Sequence, residues 1–277
     1  GPGPDSAFGA MGPTIEMVAG LAAYTRYPDD DLPYLTGVHY TDATTPLLAA
    51  ALTMAAVRRQ RRTGEGARIE VTQRELQTGH LGELVLGLQL GVEPPQSGNA
   101  SDRHAPFGVY RCASGWLTVE VTDDAMWRAL CGVMERPELV ARYPDAESRM
   151  QAREEIDATL RAWLVDLSPD AAMRVLQHAG VAAAAVWDSE GLYEDEHLRA
   201  RGFFRAMAGL PGTGYKRAPF VLGAMPWAPP HLAPRLGEHT AAVLERLVGL
   251  GPDEYARLVA DGIVGTEPPA SAWVSWY

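Results

Sequence analysis

The 277-residue sequence is poor in several residue types, with two cysteines, Cys112 and Cys131, one asparagine, Asn99, and one lysine, Lys216. Two thiols with no Cys-x-x-Cys neighbour build neither a disulfide framework nor a four-ligand structural zinc site. A reducing cytoplasm is the expected compartment. The histidines show no HxxxH or HExxH spacing, so no metal site is expected. Gly-x-Ser-x-Gly is absent, which argues against the usual elbow of serine hydrolases. Every apolar run is broken by Gly, Pro or charge before it could span a bilayer. Gly1-Pro2-Gly3-Pro4-Asp5 has no basic segment leading into an apolar stretch, so no secretory signal is expected. Positive charge is also in short supply: 24 basic against 35 acidic residues gives a net charge of −11. An acidic surface repels phosphate backbones, which argues against a general nucleic-acid binder and leaves room only for a local anion pocket.

What is present is globular: 47% of residues are hydrophobic and 21% charged, a composition that excludes disorder for the bulk of the chain. The length suits one large domain or two smaller ones. Thr14 is placed to cap an apolar segment reaching Tyr24, with Ile15, Val18, Leu21 and Ala22 on one face. Tyr27-Pro28-Asp29-Asp30-Asp31 reads as a turn. Thr41 or Asp42 is expected to open a second helix with Pro46 in its first turn, where a missing N–H costs least. Leu47 to Val57 is apolar almost all round and reads as buried. Arg58-Arg59-Gln60-Arg61-Arg62-Thr63-Gly64 is a helix stop, with cations at the C-terminus followed by glycine. Arg68 to Val71 alternates like a strand, and Gln73 to Leu90 reads as one long helix.

Glu93-Pro94-Pro95-Gln96-Ser97-Gly98 reads as a linker and a domain boundary. Beyond it, Gly108–Cys112 and Trp116–Val121, joined by Ala113-Ser114-Gly115, form an expected hairpin. Asp123 or Asp124 should cap a helix through Trp127, Leu130 and Val133. Helices follow at about 149–167 and 169–179, then a strand from Val181 to Trp187. Thr240–Leu250 and Asp253–Asp261 make a closing helix pair. Gly209-Leu210-Pro211-Gly212-Thr213-Gly214 has the glycine content of a phosphate loop. It lacks the GK[ST] ending and a preceding buried strand, so it reads as a surface turn.

Two places carry chemistry. Asp42 sits at the start of the second helix, where the plain reading is an N-cap. A carboxylate there also faces backbone N–H groups and the positive end of the helix dipole, and a desolvated, ionised carboxylate can act as a nucleophile. Asn99-Ala100-Ser101-Asp102-Arg103-His104 is a polar loop between linker and strand. It is either a solvated connection or a loop facing a ligand at the domain boundary.

Five blocks in register resemble the family III CoA-transferases, the CaiB/BaiF family. They are Gly12-Pro13-Thr14-Ile15-Glu16 with Ala19-Gly20-Leu21; Tyr40-Thr41-Asp42 with the apolar helix and Arg61-Arg62-Thr63-Gly64-Glu65-Gly66-Ala67-Arg68-Ile69-Glu70-Val71; Gly98-Asn99-Ala100 with Ala105-Pro106-Phe107-Gly108-Val109-Tyr110-Arg111-Cys112; Leu198-Arg199-Ala200-Arg201-Gly202-Phe203-Phe204 with Pro219-Phe220; and Ala233-Pro234-Arg235-Leu236-Gly237-Glu238-His239-Thr240.

The resemblance implies an α/β fold, part of a Rossmann-like large domain plus a small α+β domain. Residues 1–92 and 196–277 would belong to the large domain, and 93–195 to the small one. It implies Asp42 as the catalytic carboxylate, which attacks an acyl-CoA thioester to give a mixed anhydride and then an aspartyl-CoA thioester. An incoming carboxylic acid completes the transfer. Asn99, Ser101, Arg103 and His104 occupy the family's loop over the aspartate, here not glycine-rich, and are the candidate substrate-binding residues. Coenzyme A enters as acyl-CoA substrate and no metal is implied. Implied partners are acyl-CoA and a carboxylic acid, with no nucleic acid and no membrane. An interlocked homodimer is implied, or a heteromer supplying the family's N-terminal CoA-binding half, which the chain is expected to lack. Pro46 stands where the family usually has glycine. Related folds belong to acyl-CoA racemases, which pair a histidine with the aspartate. Racemisation and a non-catalytic partner subunit are therefore the alternatives to transfer.

Overall fold

The computed structural model describes residues 3–92, 97–207, 210–224 and 233–267. The chain divides into two compact units between Val186 and Trp187.

The first unit opens with α1 (Gly12–Val18), followed by a short 3-10 turn at Leu21–Ala23. Met11, in extended backbone, precedes α1, so Thr14 lies inside the helix rather than capping it. Ile15, Ala19 and Ala22 are buried as their spacing requires, whereas Val18 is 40% exposed. α2 (Tyr40–Thr63) follows, one or two residues earlier than the sequence suggests. It ends as expected: Arg61 and Arg62 lie in the last turn, and Gly64 takes φ +77°, a left-handed cap whose N–H reaches Gln60 O at 2.8 Å.

Four local expectations change. Pro46 falls in the second turn of α2, not the first. The apolar stretch is not buried: Leu47 is 73% and Met54 67% exposed, because no described element of the first unit lies over that face. Arg68–Val71 forms no strand, having no neighbouring strand to pair with among the described residues. The long helix after Gln73 is two, α3 (Gln73–Gly79) and α4 (Gly82–Gln89), interrupted at His80-Leu81 between two glycines. The backbones of α1, α2 and α3 pack on one another, and Thr78 donates its hydroxyl to Ala19 O at 3.3 Å. Of the expected linker, 93–96 lies outside the described residues.

The main core lies further along. β1 (Phe107–Arg111) and β2 (Trp116–Glu120) form the expected hairpin, and β3 (Ala182–Ala185) joins β2 on its other side. The sheet is antiparallel with β2 central, in register Tyr110↔Leu117 and Leu117↔Ala185. Leu117 and Val119, two apart on β2, are fully buried. α5 (Asp124–Val133) is capped by Asp123, whose Oδ1 accepts from Met126 N–H at 2.8 Å. The helix expected near 149–167 begins earlier and is broken into α6 (Glu138–Arg142), α7 (Ala146–Gln151) and α8 (Arg153–Leu164). α9 (Pro169–His178) follows, capped by Ser168. Trp127, Leu130, Ile156, Leu160, Leu164 and Leu176 close over the sheet, each burying on the order of 2 kcal/mol of apolar side chain.

The second unit holds α10 (Ser189–Glu194), α11 (Glu196–Ala200) and an antiparallel pair, β4 (Phe204–Met207) with β5 (Leu210–Lys216). The glycine-rich segment is therefore largely strand rather than a turn or a phosphate loop, although 208–209 lies outside the described residues. α12 (Thr240–Val248) and α13 (Pro252–Ala260) form the expected closing helices. Among the described residues, no helix is long and apolar enough to cross a membrane.

Candidate active site at the start of α2

The site is built where α1, α2 and α3 meet. A helix N-terminus leaves backbone N–H groups without intrahelical partners, usually satisfied by an N-cap side chain. His39 occupies that position in α2 and makes no capping bond. The missing acceptor comes from α1: Glu16, fully buried, accepts from Tyr40 N–H at 3.2 Å, Thr36 Oγ1 at 2.9 Å and Thr36 N–H at 3.4 Å. Asp42 is thus released from the capping duty that its position suggested. It is the third helical residue, its N–H bonded to His39 O at 3.0 Å, and its side chain is exposed rather than desolvated.

The Asp42 carboxylate is held on one oxygen. Gln73, the first residue of α3, donates Nε2–H to Oδ1 at 2.9 Å across 31 positions of sequence. Oδ2 has no hydrogen-bond partner among the described residues. It lies against Gly12, where a Cβ would stand 2.8 Å from Oδ2 and 2.7 Å from His39 Cγ. Only glycine leaves room for this arrangement of carboxylate and imidazole. Pro46 adds a local effect: with no N–H, it cannot donate to the carbonyl of Asp42 four residues before it. Among the described residues, His39 Nδ1, Thr41 Oγ1, Thr45 Oγ1 and Gln77 Oε1 are buried without hydrogen-bond partners, so the helix junction is polar.

A cavity of about 810 Å³ opens beside this corner, lined by Phe8, Ile15, Val18, Gln73, Arg74 and Asp5 among others. Arg74 pairs there with Asp5 at 2.7 Å. Gln73 belongs to both the cavity wall and the Asp42 clasp.

The loop residues are held elsewhere in the first unit. Ser101 Oγ accepts from the backbone N–H groups of Arg103 at 3.0 Å and His104 at 3.2 Å. Arg153, at the start of α8, donates to the backbone carbonyls of Ser101 and His104. Gly98 packs against Tyr27, while the Arg103 side chain is 81% exposed, 3.9 Å from Asp102. Among the described residues, no hydrogen bond or ion pair joins Asp42 to Asn99, Ser101, Arg103 or His104. No group of three or more His, Cys, Asp or Glu placed to hold a metal occurs among the described residues.

Sequence reasoning did not single out Gln73, Glu16, Gly12 or Arg153. Gly12 and Glu16 lay inside a quoted block, but neither carried a separable signal. Gln73 clasps Asp42, and Arg153 braces Ser101 and His104, across long separations in sequence.

Comparison with known proteins gives this corner its context. The chain is 28% identical over 242 residues to the succinyl-CoA:mesaconate CoA-transferase of Haloarcula marismortui, covering 84% of this chain and 60% of that protein. It is 29% identical over 254 residues to the succinyl-CoA–L-malate CoA-transferase alpha subunit of Chloroflexus aurantiacus, covering 89% of this chain and 59% of that subunit. It therefore spans about 60% of the length of these relatives. The crystal structure of a CaiB/BaiF family protein from Brucella suis shares the fold, with a TM-score of 0.78 at 23% identity over 89% of this chain and 65% of that one. Residues 1–240 match the family described as CoA-transferase family III, and the chain belongs to that family.

Proposed function

We propose that this chain carries the aspartate of a CoA-transferase that moves CoA from an acyl-CoA to a free carboxylic acid through covalent adducts of Asp42. The observation that carries the reading is the division of labour at the carboxylate, where Oδ1 is clasped by Gln73 and Oδ2 has no hydrogen-bond partner among the described residues. Glu16 supports it by capping α2 in place of Asp42. A nucleophile needs one unencumbered lone pair and a fixed orientation, and this carboxylate has both.

In the proposed sequence, Oδ2 adds to the thioester carbonyl and the C–S bond breaks, leaving an acyl-aspartyl anhydride and CoA thiolate. The thiolate adds to Asp42 Cγ and the Cγ–Oδ2 bond breaks, releasing the donor carboxylate and leaving an aspartyl-CoA thioester. The acceptor carboxylate displaces the thiolate to form a second anhydride. The thiolate then takes the acceptor acyl group and frees Asp42. Both anhydrides hydrolyse in water, so turnover requires a shielded site. Asn99, Ser101, Arg103 and His104 are proposed to shape the acceptor side, their backbone braced by Arg153. The relatives named for succinyl-CoA suggest dicarboxylic substrates. The site would act within the cytoplasm, in a homodimer or a heteromer.

The test uses the full-length protein with succinyl-CoA, acetyl-CoA and formyl-CoA as donors and mesaconate, L-malate, glutarate and oxalate as acceptors. Transfer should be abolished in Asp42→Ala, and hydroxylamine during turnover should mark Asp42 by mass spectrometry. Transfer by Asp42→Ala, or an adduct on another residue, defeats the reading.

One observation favours a second reading. His39 Cγ and Asp42 Oδ2 both lie within 2.8 Å of the point where a Gly12 Cβ would stand, so an imidazole and a carboxylate pack side by side against Gly12. Such a pair suits removal and return of an α-proton. Deuterium exchange at the α-carbon of an acyl-CoA, without acceptor acid, would identify racemisation instead.

A further inference from the structure

We propose that Gln73 is a catalytic residue of this site: its side-chain amide is the donor that stabilises the oxyanion formed on Asp42 Oδ1 when the aspartyl carbonyl carbon is attacked. The inference rests on the covalent reading of Asp42.

The atom bookkeeping assigns the charge. After Oδ2 is acylated, Oδ1 is the carbonyl oxygen on Cγ. When CoA thiolate adds to Cγ, the C=O electron pair moves onto Oδ1. It returns as the Cγ–Oδ2 bond breaks and the donor carboxylate leaves. When the acceptor carboxylate adds to Cγ of the aspartyl-CoA thioester, the pair moves onto Oδ1 again, and it returns as thiolate is expelled. Two of the four additions thus place negative charge on the same atom. The other two place it on a substrate oxygen.

Gln73 Nε2 stands 2.9 Å from Oδ1. That is inside the 2.7–3.1 Å range in which a fixed donor stabilises a developing oxyanion. The side chain is half-buried on the first residue of α3, a helix packed on α1 and α2, so the donor is placed before the reaction begins. Its chemistry also suits the first step. An arginine or lysine here would form an ion pair with the carboxylate and draw down its nucleophilicity. A primary amide donates one hydrogen bond and adds no charge. It therefore leaves Oδ2 able to attack and still meets the charge when that reaches Oδ1. Gly12 completes the arrangement by keeping a Cβ away from Oδ2, the atom that becomes acylated.

A purely structural tie between α2 and α3 would have the same geometry, so the test must read chemistry. In the full-length protein, Gln73→Met keeps the length of the side chain and removes the donor. Its kcat for transfer should fall on the order of 10²- to 10³-fold, with KM for acyl-CoA within about threefold and the thermal midpoint little changed. Because acylation of Oδ2 does not load Oδ1, rapid quench of Gln73→Met with donor acyl-CoA should show the acyl-aspartyl anhydride accumulating. The native protein should instead show the aspartyl-CoA thioester. Gln73→Glu supplies the second reading. At neutral pH it sets two carboxylates face to face and should be inactive. As the pH falls and the new carboxyl takes up a proton, it can donate again, so activity should rise on the acid side where the native enzyme shows no such rise. A Gln73→Met variant with native kcat, or one whose kcat falls with no anhydride accumulating, overturns the assignment while leaving Asp42 as nucleophile. Absence of any Asp42 adduct in the native protein across the donor panel removes the covalent reading and this inference with it.

Discussion

Replacing Gly12 by alanine probes the corner while leaving every reacting group in the chain. Gly12 is the first residue of α1. Its φ is not in the left-handed region, so the backbone accepts a side chain. On helix propensity alone the change would gain up to about 1 kcal/mol. The tertiary structure opposes that gain. The new methyl would stand 2.7 Å from His39 Cγ, 2.8 Å from Asp42 Oδ2 and 2.9 Å from His39 Cβ. Ordinary contacts are 3.4–4 Å, so each neighbour must retreat by roughly half an ångström or more. His39 is tied to the backbone entering α2, so the retreat strains the helix start as well as a rotamer. Overpacking of this kind costs about 1–3 kcal/mol, which leaves a net loss of up to about 2 kcal/mol. For a unit of this size that lowers the melting temperature by up to about 8 °C. The displaced carboxylate also loses the Gln73 geometry, so acylation of Asp42 should slow more than stability alone requires. Gly132→Ala is the control: it lies inside α5 with nothing within 4 Å of the added methyl and should stabilise. Differential scanning calorimetry and rapid-quench adduct formation on both variants decide the matter. A Gly12→Ala protein that melts at or above the native temperature and acylates at the native rate would refute this account of the site.

Two further outcomes are expected. Arg103→Ala removes an 81% exposed side chain, so stability should change by less than about 0.5 kcal/mol. If the loop shapes the acceptor side, acceptor KM should rise several-fold in steady-state assays with acyl-CoA KM unchanged, and unaltered kinetics would leave it a plain connection. The core around the three-stranded sheet should unfold in alkali. Burial, aided by Glu138, pushes the Cys131 thiol up to about 12, and burial with Asp157 raises the Tyr110 phenol as well. Both groups are more acidic in the unfolded chain, so their stabilisation is complete below about pH 9 and is lost as the pH climbs towards 12. Circular dichroism against pH should show that transition, displaced upward in Cys131→Ala, and an unshifted midpoint would dissociate it from this thiol.

What could be read without coordinates was local. Alternation around Ala113-Ser114-Gly115 predicts the β1–β2 hairpin, Asp123 predicts the cap of α5, and Arg61-Arg62-Thr63-Gly64 predicts the end of α2, because each depends on residues within one or two turns. Asp42 stood out for the same reason, as a carboxylate beside a helix start, and the matching blocks raised it from cap to nucleophile. The failures share a cause. Among the described residues, Arg68–Val71 has strand alternation and no strand to pair with, and Leu47–Val57 has a core-like composition and no layer of its own unit above it. Pattern states what a segment can bury or pair with, and only the packed chain supplies the other side. The same holds for the chemistry. Sequence determined that an aspartate lies in the first turn of α2. Tertiary structure decided that Glu16 of α1 does the capping, that Gln73 of α3 takes one carboxylate oxygen, and that a missing methyl at Gly12 keeps room for the other. Those three contacts join positions 24 to 31 residues apart, a separation at which no helical or strand period links one residue to another.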